Sequence, residues 1–275
     1  MRHILTSAIA LAVCAIATPA LATDAAPAPA FKLSGSVALV SDYRLRGVSQ
    51  TDKGMAIQGG MTLTHESGLY GTFWASNLAG WGTFGNPNLE LDLIGGYKHA
   101  IGNGAIDVGL TWYQYPGGAS KSSYVEPYIK VSGTAGPVSM LAGVAYAPSQ
   151  TALGNWYATP QSVIGDKQDN IYLWGDFSAG VPKTPITFNA HIGYSDGNPG
   201  LGPNGTSIAP TGSYWDWLIG VSYVVGPVTL GVAYVDTDIS SSSPEYLRLQ
   251  PNFSSTKDGS TIAGSKVVFS LTAAF

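Results

Sequence analysis

The chain has 275 residues and a formal net charge of -4, and only 11% of its residues are charged. That share is less than half of the roughly 25% usual in soluble globular domains, and the few basic residues are scattered, which argues against a nucleic-acid-binding protein. The 35 glycines, 15 tyrosines and 7 tryptophans instead suit membrane-spanning β-strands with interfacial aromatic anchors.

The first residues have the pattern of a secretory signal peptide. Arg2 supplies a positive charge, residues 4–17 form an apolar stretch, and Ala20-Leu21-Ala22 fits the cleavage pattern of small residues. We therefore predict a signal peptide over residues 1–22 and a flexible periplasmic lead-in over residues 23–33. The only cysteine, Cys14, lies in the predicted leader, so we expect no disulfide in the exported chain.

From residue 34 onward, apolar and polar residues alternate with a period of two. Leu89, Leu91 and Leu93, for example, alternate with Glu90 and Asp92, which is typical of a strand between lipid and water. No stretch has the roughly 18 apolar residues of a transmembrane helix, so a chain that spans a membrane must do so as a closed barrel. We predict about twelve strands, within about ten to fourteen, at residues 34–43, 55–65, 69–77, 89–99, 104–114, 122–132, 137–147, 169–179, 185–195, 213–225, 227–236 and 264–275. Pro127 removes a ladder donor from the sixth strand and predicts a bulge there.

The connections between these strands alternate between long and short. Long ones cover residues 147–168, 196–212 and 237–263; short ones cover residues 66–68, 102–104, 133–136 and 226. Outer-membrane barrels have this asymmetry because one rim carries external loops and the other tight periplasmic turns. A β-sandwich has no reason to sort its loops in this way. We predict an all-β, antiparallel up-and-down transmembrane barrel over residues 34–275, with both ends on the periplasmic side.

Aromatic residues and the chain end support this orientation. An interfacial girdle is predicted from aromatic residues where strands meet long loops, namely Tyr43, Trp74, Trp112, Tyr113, Tyr146, Tyr194 and Tyr234. The last ten residues alternate and end on Phe275, which looks like the signal read by the outer-membrane barrel assembly machinery. We therefore predict localisation in the bacterial outer membrane, with lipid and that machinery as partners and the oligomeric state left open.

Three stretches near the start carry a family resemblance. Residues 39–54 read Leu-Val-Ser-Asp-Tyr-Arg-Leu-Arg-Gly-Val-Ser-Gln-Thr-Asp-Lys-Gly, residues 56–60 read Ala-Ile-Gln-Gly-Gly, and residues 66–77 read Glu-Ser-Gly-Leu-Tyr-Gly-Thr-Phe-Trp-Ala-Ser-Asn. Together they resemble the TorF-like porin family of proteobacterial outer-membrane proteins. The resemblance implies a porin-like protein and carries over no catalytic or ligand residues.

Two interpretations of Arg44 and Arg46 stay open. Both share a face of the extended end of the first strand, with Asp42 before them and Asp52 and Lys53 after them. These charges either line a pore constriction, where fixed charge selects solutes, or form a rim network that holds the first loop.

The residues give no sign of an enzyme. The exported chain has three histidines, His65, His99 and His191, and no nucleophile elbow of the Gly-x-Ser-x-Gly kind. Metal-ligand spacing is absent, so we predict neither catalysis nor a metal nor another cofactor.

We therefore predict a porin-like channel for passive or weakly selective diffusion of small hydrophilic solutes. About twelve strands enclose a narrow lumen, between the filled barrel of about eight strands and the wide pore of sixteen. The candidate pore-lining residues are Arg44, Arg46, Glu90, Asp92, Lys98, Asp107, Glu126, Lys130, Asp176, His191, Asp216 and Lys266. Acids exceed bases on the predicted strands, which predicts a slight cation preference. The alternatives are a closed structural or adhesive barrel that acts through its extracellular loops, and a secreted soluble β-protein.

Overall fold

Alternating strands close into a single barrel in this protein. The structure is a computed structural model that describes residues 30–79, 87–118, 120–203 and 207–275. Its strands are β1 (Phe31–Val40), β2 (Arg44–Leu45), β3 (Val48–Ser49), β4 (Ala56–His65), β5 (Leu69–Asn77), β6 (Leu89–Ile101), β7 (Gly104–Gln114), β8 (Tyr124–Ala135), β9 (Val138–Gln150), β10 (Gln168–Gly180), β11 (Ile186–Gly197), β12 (Tyr214–Val225), β13 (Val228–Thr237) and β14 (Lys266–Ala274). All except β2 and β3 form a closed antiparallel barrel of twelve strands, in which β1 lies between β4 and β14.

The predicted barrel is confirmed, with every strand boundary within three residues of the prediction. β1 differs by three residues at both ends, since it begins at Phe31 and ends at Val40, and β8 and β9 each end three residues later than predicted. Phe31 pairs with His65 and Leu33 with Leu63, so the end of the predicted lead-in belongs to the wall. The predicted signal peptide and the lead-in up to residue 29 lie outside the described residues.

The alternation of connection lengths is also confirmed. Turns at residues 66–68, 102–103, 136–137, 181–185 and 226–227 share one rim with the chain ends, and the other rim carries the longer connections. Three of the short turns have two residues and begin with a glycine of positive φ, which matches the right-handed twist of the strands they join. Gly136 and Gly226, at φ 60 and 58, are followed by prolines that cannot continue a strand.

Pro127 does not cause the predicted bulge. Its side chain points outward, and the pairing of β8 with β9 begins one residue later, at Tyr128. On the N-terminal side of Pro127, the side chain of Gln150 takes the place of backbone partners on β9. Its Oε1 accepts from the amide N of Val125 and its Nε2 donates to the Val125 carbonyl, each at 2.8 Å. The backbone groups of Val125, which lies outside the pairing of β8 with β9, are thus satisfied by a side-chain amide.

The two faces of the wall differ in polarity, as the alternation predicts. Large apolar side chains point outward, with exposed fractions of 62% at Ile57, 66% at Ile219 and 61% at Phe269. The inward face carries the buried polar and charged side chains described below. No helix in the described ranges is long and apolar enough to cross a membrane; the helices there are a 3-10 turn at Thr151–Leu153 and α1 (Pro244–Arg248).

The aromatic girdle is confirmed in part. Trp112, Tyr146 and Tyr234 are outward and about half exposed, and Tyr194 packs outward against Trp215. Three of its predicted members, Tyr43, Trp74 and Tyr113, were wrongly assigned, because they point into the barrel. Trp74 and Tyr113 follow the outward residues Phe73 and Trp112, and neighbours along a strand take opposite faces.

The chain end closes the barrel against the first strand. The Phe275 amide N donates to the Gly35 carbonyl at 2.9 Å, and the Gly35 amide N donates to the Phe275 carbonyl at 2.8 Å. The Phe275 ring lies over Gly35, where a Cβ atom would come within 2.7 Å of it. Phe275 thus occupies the outward position predicted for it, and its role as an assembly signal stays a prediction.

We expect Ile219→Arg to destabilise the folded barrel by about 2–4 kcal/mol, because a lipid-facing strand residue near the bilayer midplane would place a guanidinium in hydrocarbon. Urea unfolding in lipid vesicles measures the change. Ile219→Leu keeps the apolar contact and should stay within about 1.5 kcal/mol of the parent. Equal stability of the arginine and leucine variants would show that this face does not meet lipid.

Candidate functional site

The chain between β1 and β4 enters the barrel. We call residues 41–55 the inward segment. In it β2 and β3 form a short hairpin, in which Leu45 pairs with Val48 and the turn residues Arg46 and Gly47 have φ values of 48 and 78. A two-residue turn with positive φ at both positions fits a hairpin, but an arginine is uncommon there. The contacts of its side chain explain why it holds this conformation.

Asp42 organises the base of the inward segment. One carboxylate oxygen accepts from Arg44 Nε at 2.9 Å, and the other accepts from Ser49 Oγ at 2.5 Å. The Asp42 side chain is fully buried, so these bonds replace its hydration. Arg44 also donates through Nη1 to the carbonyls of Gly47 at 2.8 Å and of Gly264 at 2.7 Å.

Arg46 crosses the lumen to the opposite wall. Its Nη2 donates to Glu126 Oε1 at 2.6 Å, its Nη1 donates to Asn170 Oδ1 at 2.7 Å, and its Cζ lies 4.1 Å from the centre of the Tyr172 ring. The Arg46 carbonyl accepts from the Tyr214 hydroxyl at 3.1 Å. Because β8 and β10 lie opposite β1 in the closed strand order, these contacts span the barrel.

The electrostatics of this crossing favour a charged guanidinium. Burial alone would lower the pKa of Arg46, but the negative charge of Glu126 raises it well above its usual value. Both side chains are 4% exposed, so the attraction between the two charges is the main compensation for their loss of hydration.

The last external connection, residues 238–265 between β13 and β14, covers the inward segment from the external side. The Ser49 amide N donates to the Ile262 carbonyl at 2.9 Å, and Asp52 accepts from Thr256 Oγ1 at 2.5 Å. Burial alone would raise the pKa of Asp52. Hydrogen bonds from Thr256 and the charge of Lys257 lower this pKa by more than burial raises it, so the net pKa is below the usual value. Residues 238–265 therefore hold the segment in place.

Below the inward segment, His191 lies between two carboxylates. Its Nδ1 is 2.6 Å from Asp176 Oδ1, and its Nε2 is 3.2 Å from Asp216 Oδ1 and 2.9 Å from the Tyr172 hydroxyl. Asp176, His191 and Asp216 come from the adjacent strands β10, β11 and β12. A doubly protonated imidazolium can donate to both carboxylates, so this group forms an ion-pair network.

A second ion pair lies on the wall formed by β7 and β8. Lys130 Nζ is 3.1 Å from Asp107 Oδ2 and 4.0 Å from the centre of the Tyr128 ring. Tyr70 donates to Asp107 Oδ1 at 2.7 Å. Lys98 is the cross-strand partner of Asp107 on the other side, so the acid stands between two lysines.

Glu90 and Asp92 differ from the other lumen acids. They are 1% and 5% exposed, and Glu90 Oε1 and Asp92 Oδ1 have no hydrogen-bond partner in the described part of the chain. The ion pairs of the described residues do not include either carboxylate. They therefore place uncompensated negative charge in the lumen when ionised.

The predicted pore-lining residues mostly come together inside the barrel. Arg44 and Arg46 lie on the inward segment, and the strand residues occupy inward positions. Most are buried; Lys98 and Asp176 are partly exposed, and Lys266 is exposed at the external end of β14. Arg44 and Arg46 do not lie on an extended strand end as predicted, because β1 stops at Val40 and the chain turns inward. A role of these residues in permeation stays a prediction.

Several contact residues were missed at the level of sequence. Asn170, Tyr172 and Tyr214 hold Arg46, and Tyr128 packs on Lys130. The alternation predicts them, because each shares the inward phase of a predicted pore-lining charge on its own strand, such as Tyr128 with Lys130 and Tyr214 with Asp216. In the described ranges, no group of three or more His, Cys, Asp or Glu residues could hold a metal.

Solved structures share the barrel architecture. A chain solved in work on the in-meso crystallization of membrane proteins is 10% identical, with a TM-score of 0.51 over 88% of this chain and 83% of that one. A porin refined at 1.8 Å resolution is 11% identical, with a TM-score of 0.41 over 89% and 100%. An outer membrane channel from Pseudomonas putida F1 is 10% identical, with a TM-score of 0.41 over 94% and 100%. The TM-score of the first structure shows a common fold, and the TM-scores of the other two are lower.

Sequence comparison identifies the family. No curated protein matches the chain in sequence. The model of a family described as "Bacterial protein of unknown function (Gcw_chp)" matches residues 24–275. The chain therefore belongs to the Gcw_chp family.

Proposed function

We propose that this protein is a porin-like channel of the bacterial outer membrane, with the inward segment as its constriction, and that it passes small hydrophilic solutes. The observation that carries the proposal is the pairing of Arg46, on a segment that leaves β1, with Glu126 and Asn170 on the opposite strands β8 and β10. A polar segment fixed across a lumen lined with charge is a means of limiting and selecting solutes.

The placement in the outer membrane is supported by the outward face. Apolar side chains cover it, and tight turns and longer loops occupy opposite rims, as in outer-membrane barrels. The predicted signal peptide, the outward Phe275 and the resemblance to TorF-like porins agree with export and with assembly by the barrel machinery. Lipid would then cover the exposed apolar side chains.

The ion pairs support a weak cation preference. Arg44 is paired with Asp42, Arg46 with Glu126 and Lys130 with Asp107, so these charges largely cancel. Glu90 and Asp92 have no basic partner among the described ion pairs, so ionisation of either one adds an unbalanced negative charge beside the constriction. A fixed negative charge raises the local concentration of cations.

Non-enzymatic transport also fits the chemistry of the lumen. The ring nitrogens of His191 contact Asp176, Asp216 and Tyr172. A serine, threonine or cysteine nucleophile is not among these contacts, so His191 has no hydrolytic partner there.

One observation favours a closed structural or adhesive barrel instead. The inward segment is hydrogen-bonded to both the far wall and residues 238–265, so in this structure it obstructs the lumen at its own level. Measurement of current discriminates this second function from a channel.

We expect removal of the inward segment to raise single-channel conductance several-fold in planar bilayers. Val40 and Ala56 are already cross-strand partners, so Asn-Gly can replace residues 41–55 as a two-residue hairpin turn. As a control, Gly-Gly replaces residues 160–165 of an external loop and should leave conductance unchanged. If neither the parent nor the shortened protein carries current when folded, the channel proposal fails and the closed barrel is favoured.

We expect Arg46→Ala to destabilise the barrel by about 3–5 kcal/mol, because it leaves Glu126 buried without a counter-charge. Urea unfolding in vesicles measures the loss, and adding Glu126→Gln should restore part of it. Lys53→Ala breaks an ion pair in which the Asp258 side chain is 58% exposed, and we expect a change of at most about 1 kcal/mol. A loss for Arg46→Ala no greater than this control would contradict the crossing contact.

We expect the double variant Glu90→Gln/Asp92→Asn to lose most of the cation preference, because it removes the unpaired negative charge. Reversal potentials under a potassium chloride gradient measure the preference. Glu66→Gln/Glu245→Gln neutralises two exposed acids outside the lumen and should leave the reversal potential unchanged. Equal shifts in the two double variants would locate the selectivity elsewhere.

A further inference from the structure

The inward segment does not fill the lumen completely. A cavity of about 50 Å³ lies between it and the wall formed by β4, β1 and β11–β14. That volume holds a few water molecules. On the other side, Arg46 closes the space by its contacts with Glu126, Asn170 and Tyr172.

The lining of the cavity is of two chemical kinds. Val40, Leu218, Val235 and Val268 supply an apolar strip on β1, β12, β13 and β14. Charged groups adjoin this strip: His191, the cross-strand partner of Leu218, and Asp216 lie on the same wall, and Asp42 and Arg44 lie on the inward segment.

The cavity continues towards the periplasmic half of the barrel. His191 lines the cavity and contacts Asp176, which lies towards the periplasmic end of β10 and has a side chain that is 37% exposed. At the external end, Arg44 donates to the Gly264 carbonyl and the Ser49 amide donates to the Ile262 carbonyl. The external end is therefore covered by residues 238–265.

We propose that this cavity is the part of the solute route that passes the inward segment, and that its apolar and charged lining selects small solutes with an alkyl portion beside a polar head. The alkyl portion contacts the apolar strip, and the polar head exchanges water for the adjoining charged groups. The proposal rests on the proposed channel function and adds the side of the lumen and the solute class.

Thiol reactivity tests the route without any measurement of current. Ser270 lines the cavity, whereas Ser195 is fully buried next to Asn170, outside the lining of the cavity. In a Cys14→Ser background, we expect folded Ser270→Cys to react with methyl methanethiosulfonate at least tenfold faster than folded Ser195→Cys, as read by mass spectrometry. Val268→Cys provides a second cavity position if Ser270→Cys does not fold. Equal rates, or faster reaction of Ser195→Cys, would overturn the route.

Failure of the two proposals can be distinguished. A folded parent protein that carries no current removes the channel function whatever the thiol rates are. A conducting parent with equal thiol rates removes only the route.

Liposome swelling tests the solute class with valine and serine, which carry the same charges and differ in the alkyl side chain. We expect Val235→Thr to lower the valine-to-serine permeation ratio at least twofold, because the hydroxyl interrupts the apolar strip. Val232→Thr lies on the outward face of the same strand and should leave the ratio unchanged. An unchanged ratio in Val235→Thr, or the same fall in both variants, would overturn the selection of alkyl-bearing solutes.

Discussion

The pairing of Arg46 with Glu126 is the interaction on which the organisation of the lumen depends. Each of these charges is buried, and each would be costly to keep there without the other. Because one lies on a segment that begins at β1 and the other on the opposite wall, the pair holds that segment across the barrel. The side on which Arg46 makes its contacts is thereby filled, and a cavity remains on the side of β11–β14.

The strands could be predicted from the sequence because each of their faces meets a different environment. Leu89, Leu91 and Leu93 face outward, while Glu90 and Asp92 face the lumen, so the polarity of neighbours reports the side of the wall directly. The same alternation places Glu126 and Lys130 inward. Loop lengths added the topology, since hairpin connections on one rim need only two to five residues.

The path of the inward segment could not be predicted in this way. Its charges fit a rim as well as a lumen, and the partners that decide between them are distant: Glu126, Asn170 and Tyr214 are 80, 124 and 168 residues from Arg46. Tyr43 was wrongly assigned to the girdle because β1 ends at Val40 and Tyr43 already belongs to the inward segment. The error at Trp74 was avoidable, since the outward phase of Phe73 excludes it from the girdle.

The distance in sequence between the inward segment and its partners has a consequence for the order of assembly. The segment emerges second, directly after β1, yet its contacts require β8, β10 and β12 and the connection that precedes β14. Contacts between such distant residues form only after the intervening chain is ordered. The segment can therefore complete its contacts only after the strands up to β12 are in place, so most of the wall forms before its interior is filled.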